Sequence, residues 1–291
     1  MRRRQFLWSS FMAGGAAAVA LRDFPYHLFA SERKKYATDI VTLGRTGIKL
    51  SRLAQGSGTV GTNKSSNQTR KLGHYGLADL YRATVDAGLN FWDTADQYGS
   101  HPHICEALKT VKREGVVIMT KTRASTEAEM RDDLDRFRRE LGTDYLDIVL
   151  LHCMLDTDWP EKKKGAMMVL SEAKEKGIIR AHGTSCHKIG ALRTAAATDW
   201  VEVDLARLNP VGSHMDADAG TVISVLREMK AKGKGVIGMK ILGEGDLRNE
   251  VDKALAYALA ADVLDCFTIG AESRSEMEDL VRKIPAASVR G

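Results

Sequence analysis

Four residues in this 291-residue chain stand at or just beyond the ends of short apolar runs, and together their types could move a proton. Asp93 follows Asn90-Phe91-Trp92, Tyr98 comes five residues later, Lys121 closes GVVIMTK, and His152 closes YLDIVLLH. Tyrosine is a poor acid at its free pKa of about 10, but a neighbouring ammonium favours the phenolate. Lys121 can supply that charge, and Asp93 can hold Lys121 ionised and oriented. His152 can donate a hydrogen bond to a substrate oxygen or tune the phenol. An apolar surrounding strengthens these interactions by excluding water. Such a set protonates an oxygen that is gaining negative charge. No serine or cysteine is paired in sequence with an evident base, so covalent catalysis is not implied. Reduction of a carbonyl then needs a hydride, which a cofactor must bring. Each residue also has a plain structural reading: a strand-end Asp caps a turn, a Lys after a strand is solvated, and a His in an apolar strand is hydrogen-bonded in the core.

The elements that must position these groups repeat along the chain. From about residue 50, short β-branched runs alternate with longer stretches of helical period, the pattern of βα units. Eight strands are predicted, at 51–57, 90–95, 115–121, 145–152, 179–185, 201–208, 235–242 and 265–270. Between them, Met130, Leu134, Phe137 and Leu141 form one stripe of a helix over 126–141, opened by a Thr126–Glu129 capping box. Val222, Leu226 and Met229 make a similar stripe over 220–233. Lys-Gly pairs at 176–177 and 232–233 suit helix C-termini. Eight such units in roughly 240 residues predict an α/β fold of the (β/α)8 TIM-barrel type, in which function gathers at the C-terminal ends of the strands. A doubly wound open sheet is the alternative, but Gly56-Ser57-Gly58-Thr59 is not its dinucleotide fingerprint.

Composition narrows the partners. The apolar fraction of 44% and charged fraction of 28% are those of a globular protein, and the net charge of +5 owes part of its excess to Arg2, Arg3 and Arg4. Nucleic acid is therefore not an expected partner. The four cysteines are far apart with no CxxC spacing, so no metal site is expected. The first residues, MRRRQFLWSSFMAGGAAAVALR, set a basic cluster before a weakly apolar run ending in small residues, the layout of an export signal. Arg3-Arg4-Gln5-Phe6-Leu7 resembles a twin-arginine core, which implies the twin-arginine export machinery as a partner and a periplasmic or otherwise exported location. The run is too short and too rich in Gly, Ser and Ala for a stable membrane span. The reading divides the chain into a leader at 1–30, a linker at 31–40 and a barrel at 41–291.

With these residues in place, the chain resembles the aldo-keto reductase superfamily over about 38–285. DTADQYG is similar to that family's DTAxxYG element, IMTK to its lysine strand, and YLDIVLLH to its histidine strand. The resemblance implies a barrel that binds a nicotinamide dinucleotide without a Rossmann domain, a catalytic set of Asp93, Tyr98, Lys121 and His152, and a small carbonyl substrate. Tyr98 would be the general acid in reduction and the base in the reverse direction. The resemblance places cofactor contacts at Gly58, Thr59, Ser185, Cys186, Met239, Lys240, Gly243, Glu272 and Arg274. Cys186 stands where the family commonly has an asparagine, Leu205 where many members carry a glutamine, and Met239 where an aromatic ring often stacks on the nicotinamide. Arg274 could pair with a 2′-phosphate while Glu272 would suit an unphosphorylated ribose. The family's habit favours NADP, with NAD the alternative.

The softened contacts at Cys186, Leu205 and Met239 motivate a competing function, a nicotinamide-binding sensor or partner-binding barrel with little catalysis. A barrel lyase or isomerase using the Tyr–Lys pair is a third reading. His101 and His103 could line the mouth or bind a metal, although Pro102 between them favours a simple loop. HMDADAG at 214–220 reads as a solvated loop, and the polar stretch 61–74 as a long loop shaping substrate access.

Overall fold

A computed structural model describes residues 34–288. The leader at 1–30 lies outside the described residues. A short antiparallel hairpin, β1 (Ile40–Thr42) and β2 (Lys49–Ser51), precedes eight parallel strands: β3 (Leu53–Gly56), β4 (Phe91–Asp93), β5 (Val117–Thr122), β6 (Leu146–Met154), β7 (Ile179–Cys186), β8 (Val203–Arg207), β9 (Gly235–Met239) and β10 (Cys266–Ile269). These eight close into a barrel in chain order, with β10 pairing back onto β3. The predicted architecture is the observed one, and each predicted strand lies on an observed one. The stretch at 51–57 divides at Arg52 between the hairpin and the barrel.

The helices α1 (Asn67–Asp86), α2 (His101–Leu108), α3 (Glu127–Leu141), α4 (Trp159–Lys162), α5 (Lys164–Glu175), α6 (Ile189–Ala197), α7 (Ala219–Ala231), α8 (Val251–Ala260) and α9 (Arg274–Ala287) surround the sheet. α3 starts at the predicted capping box, where the Thr126 hydroxyl accepts from Glu129 N–H and the Glu129 carboxylate accepts from Thr126 N–H. It ends at Gly142, whose φ of 66° is the left-handed cap. Two sequence expectations give way here. Pro102 does not keep 101–103 in a loop, because proline is tolerated in a helix's first turn, and α2 begins at His101. Likewise the stretch 61–74 becomes helical from Asn67, with a break at Gly73.

Side chains alternate across the sheet with a period of two. Phe91, Val117, Met119, Ile148, Leu150, Val203, Leu205, Ile237 and Met239 fill the barrel. Trp92, Ile118, Val149, Leu151, Ala206 and Val236 face the helices. The hairpin plugs the end of the barrel from which the strands start: Leu43, Ile48 and Leu50 are buried in the interior cluster. Gly44 sits so close to β9 that a Cβ would lie 2.4 Å from Gly235 N, and Arg45 N–H donates to Gly233 O at 2.8 Å. The described part of the expected linker also packs against the barrel, with Ala37 buried and Lys35 Nζ donating to Leu259 O at 2.7 Å. With that end plugged, the C-terminal strand ends are left to bind ligands. No helix among the described residues is long and apolar enough to cross a membrane.

On the helix-facing side of β8, Asp204 is fully buried, accepts from Thr184 Oγ1 at 2.7 Å, and keeps Oδ1 without a partner among the described residues. Burial pushes its carboxyl up to about 7 from 3.8, against the hydrogen bond from Thr184. A carboxyl whose pKa is higher folded than unfolded binds more protons in the native state, so its contribution falls as pH rises from 3.8 toward about 7. Asp204→Asn should therefore raise Tm more at pH 8 than at pH 5, by roughly 2–4 °C for each kcal/mol recovered. Thermal unfolding at both pH values checks this, and an equal shift at both would refute it.

Candidate active site

The inward alternation that fills the barrel also places the chemistry. On β4, Phe91 points in, Trp92 out and Asp93 in. On β5, Lys121 follows Val117 and Met119 on the inner face, and on β6 His152 follows Ile148 and Leu150. Neighbouring parallel strands thus bring Asp93, Lys121 and His152 to one mouth. Lys121 is 1% exposed and its ammonium forms an ion pair with Asp93 Oδ1 and donates to Thr94 O at 2.7 Å. The other Asp93 oxygen accepts from Thr268 Oγ1 of β10 at 2.9 Å. Burial opposes the ammonium, but Asp93 and Tyr98 together hold the Lys121 pKa above its ordinary value. Lys121 is therefore charged.

Tyr98 closes a 3-10 turn, Asp96–Tyr98, that follows β4. The turn is held at two points. Asp96 is ion-paired to Lys64 and to Arg136, the latter at 2.6 Å. Gly99 takes φ 67°, and a Cβ there would lie 2.0 Å from Lys64 O. The Tyr98 ring packs against two glycines of the β3–α1 loop: a Cβ on Gly58 would come within 2.3 Å of the ring and one on Gly61 within 2.4 Å. Lys121 Nζ lies 4.8 Å from the ring centroid, and the His152 ring stands edge-on at 5.7 Å.

Burial raises the Tyr98 pKa above its ordinary value, and Lys121 only partly offsets this. Lys121 acts in the direction expected from its charge, but the larger desolvation of the buried ring outweighs it. Tyr98 is thus a protonated phenol with an ammonium beside it, ready to give a proton and to have the resulting phenolate stabilised. Burial first, then the nearby cations Lys121 and Arg123, push His152 well below the usual imidazole range, so it is neutral. Its Nδ1 is buried without a partner among the described residues.

From this mouth a cavity of about 620 Å³ runs toward α9. Asp93, Tyr98, Leu205 and Met239 line one end, and Glu272, Asp279 and Lys283 line it by α9. Of the residues singled out for the cofactor, Gly58, Thr59, Met239, Lys240 and Glu272 line it. Gly243 does not, but its φ of 57° shapes the turn between Leu242 and Glu244, which do. Ser185 is buried and accepts from Cys153 N–H at 2.9 Å, steadying a bulge after His152. Cys186 lies on the helix-facing side of β7, with its thiol directed to Thr184 and Asp204, away from the cavity. Arg274 lies on the surface of α9, paired with Glu278 at 2.8 Å.

Residues that the sequence reading passed over include Gly61, Thr268, Arg207, Asp216 and His187. Arg207 was legible in principle, since it falls two residues after Leu205 on the same face. Asp216 was not. It belongs to the stretch read as solvated, yet its side chain is fully buried and ion-paired to Arg207, because Asn209 folds the β8–α7 connection back with bonds to Ser213 O at 2.7 Å and Lys240 O at 3.1 Å. His101, Asp96 and Glu140 cluster closely enough to suggest a metal, but Arg136 supplies the positive charge there, 2.6 Å from Asp96 and 3.0 Å from Glu140.

The groove fits a nicotinamide dinucleotide. Gly270 makes room for the walls, since a Cβ there would lie 2.6 Å from both Gln68 Nε2 and Thr59 Oγ1, and Arg248 lines the cavity with no carboxylate partner among the described residues. When bound, the dinucleotide supplies a hydride. The site is thus a mouth and groove at the C-terminal strand ends of a plugged (β/α)8 barrel.

Comparison with known proteins agrees. The chain belongs to the Aldo/keto reductase family, whose model matches residues 59–258. It is 27% identical over 168 residues to an NADH-specific methylglyoxal reductase of Escherichia coli, covering 50% of this chain and 51% of that protein. It is 27% identical over 173 residues to an NAD/NADP-dependent indole-3-acetaldehyde reductase of Schizosaccharomyces pombe, covering 58% and 57%. The chain thus spans only a little over half the length of these relatives. A solved aldo-keto reductase structure from Pseudomonas aeruginosa superposes with a TM-score of 0.72 at 22% identity, covering 88% of this chain and 98% of that one.

Because Gly58 and Gly61 seat the phenol, Gly58→Ala should displace Tyr98 and lower kcat by about a hundredfold or more, in line with the sensitivity of catalysis to misplacement of about 1 Å. Far-UV circular dichroism should remain that of the parent. Retention of full kcat would show that the ring does not depend on this contact.

Proposed function

We propose that this protein reduces the carbonyl group of an aldehyde or ketone, or oxidises the corresponding alcohol, with Tyr98 as general acid or base. One observation carries the reading: the Tyr98 phenol sits over the buried Lys121–Asp93 pair at the end of the groove. In reduction Tyr98 gives its proton to the carbonyl oxygen, and Lys121 stabilises the phenolate left behind. Asp93, anchored by Thr268, keeps Lys121 aimed. Neutral His152 can donate a hydrogen bond to the same oxygen and so orient it. The names of the relatives, reductases of methylglyoxal and of indole-3-acetaldehyde, support a small aldehyde as substrate.

The groove favours NAD(H) over NADP(H) in this reading. Glu272 lines it, accepting from Asn67 Nδ2 at 2.8 Å and pairing with Lys71. Asp279 pairs with Lys283 at 3.1 Å and Glu244 with Lys240 at 2.6 Å. Arg248 alone among the cavity-lining cations has no carboxylate partner among the described residues, enough for a pyrophosphate but not for a further phosphate. Arg274, which the sequence offered for a 2′-phosphate and hence for NADP, is turned to solvent.

Tyr98→Phe should lower kcat by about 10²–10⁴-fold, the usual worth of a positioned general acid. Titration by protein fluorescence should give the same dinucleotide Kd in variant and parent, with NADH bound at least about tenfold more tightly than NADPH. Unchanged turnover in the variant would remove Tyr98 from the mechanism. Dinucleotide binding by the parent with no turnover of any aldehyde would favour the sensor reading.

The leader supports a further proposal, that the folded protein is exported by the twin-arginine machinery with its cofactor inside. Substituting Lys for both Arg3 and Arg4 should retain the protein in the cytoplasm on cell fractionation, and an unchanged distribution would overturn it.

A further inference from the structure

Gly58 and Thr59, in the connection after β3, line the cavity, and so do Thr268, Ile269 and Gly270 at the end of β10. Each of these walls also serves the proton donor. Gly58 lies against the Tyr98 ring, and Thr268 Oγ1 donates at 2.9 Å to Asp93, the partner of Lys121. Whatever fixes one wall on the other therefore fixes the phenol relative to the ammonium, which stands 4.8 Å from the ring centroid. Strand pairing between β3 and β10 ends at Gln55 and Ile269. Beyond it Gln55 Nε2 bridges Gly56 O and Ala271 O, at 2.7 and 3.1 Å, but the stretch that seats Tyr98 is tied from elsewhere.

The tie is Gln68, a fully buried side chain in the first turn of α1. Its Nε2 donates to Thr59 Oγ1 at 2.7 Å and to Gly270 O at 2.9 Å, while its Oε1 accepts from Thr59 N–H at 3.1 Å. Asn67 N–H donates to Thr59 O at 2.9 Å, so two consecutive residues of α1 hold every polar atom of Thr59. The local sequence gives them a segment of their own: the Ser66 hydroxyl caps the helix by accepting from Thr69 N–H, and Gly73, with φ 65° and ψ −172°, breaks it after Leu72. Thr59 N–H needs an acceptor and Gly270 O needs a donor, and an amide supplies both from one planar group. A carboxylate would set a second acceptor against Gly270 O, and an apolar chain of the same length would leave buried polar groups unpaired.

We propose that Gln68 is a positioning residue for the reaction: it sets the seat of Tyr98 against the Asp93–Lys121 pair and holds the two cavity walls at the width the dinucleotide requires, without touching the reacting atoms. This rests on the carbonyl-reductase reading of the same site. Catalytic groups keep their geometry when the residues behind them are locked by packing and hydrogen bonds, and Gln68 does this for both walls at once.

The test uses the full protein with NADH and methylglyoxal. Gln68→Met keeps the length of the side chain and loses all three hydrogen bonds. It should lower kcat at saturating NADH at least about tenfold and weaken NADH binding at least about threefold by fluorescence titration, since displacement of a reacting group by about 1 Å can cost a hundredfold. The KM for methylglyoxal should stay within about twofold of the parent, because the acid acts in the transition state. Gln68→Asn, which keeps the amide but shortens its reach, serves if the methionine variant does not fold, and should lower kcat at least about threefold with the same constancy of KM. A lower Tm with parental kcat and NADH Kd makes Gln68 a core residue only and overturns the proposal, as does an effect confined to the KM for methylglyoxal; both leave carbonyl reduction intact. If the parent turns over no aldehyde, carbonyl reduction itself is in question and the NADH Kd decides: weaker binding by the Gln68 variant supports the proposal, and equal binding, or none by the parent, overturns it.

Discussion

The buried ion pair between Lys121 and Asp93 is the constraint on which the rest of this mouth depends. Two opposite charges have been taken out of water inside a barrel otherwise filled with apolar side chains, a step that costs several kcal/mol per ion unless every lone pair and proton finds a partner. Here further partners offset that cost: Lys121 also donates to Thr94 O, and Asp93 also accepts from Thr268 Oγ1. Those partners come from β10 and from the connection after β4, so barrel closure itself completes the pair. The ammonium it fixes is what makes a buried phenol usable, because proton loss from Tyr98 in an apolar site would otherwise be prohibitive.

The phenol in turn is placed by an absence of side chains. Gly58 and Gly61 allow the β3–α1 loop to lie against the ring, while Gly99 lets the chain turn sharply after it. The Arg136 network with Asp96, Asp133 and Glu140 then ties this turn to α3, with His101 joining through Glu140 at 2.6 Å. Thus the acid rides on a short loop segment that is clamped on both sides, which reconciles loop placement with the precision that proton transfer demands.

Charge balance distinguishes the two sides of the mouth. Toward α9, Glu272 and Asp279 are answered by Lys71 and Lys283, and one guanidinium, Arg248, has no carboxylate partner among the described residues. Toward His187, Lys121, Lys240 and Arg207 are paired with Asp93, Glu244 and Asp216, and Arg123 has no carboxylate partner among the described residues. Ion pairs formed across successive strand ends thus decide locally which charges remain available.

By itself the sequence determined the barrel, its strand positions, the α3 cap and the strand-end residues Asp93, Lys121 and His152, because these rest on local periodicity and on chemistry confined to a few adjacent residues. Tyr98 was legible for the same reason, as a fixed step beyond Asp93. Only the tertiary structure decided what faces what. The outward turn of Cys186, the exposure of Arg274 and the burial of Asp216 depend on strand register and on a folded connection that no local pattern encodes. The docking of the β1–β2 hairpin is equally non-local, since its apolar residues find their partners on strands far along the chain. The proton affinity of Tyr98 belongs to this second group: its neighbours could be named from the sequence, but the sign of the net shift was set by how completely the fold removes water from the ring.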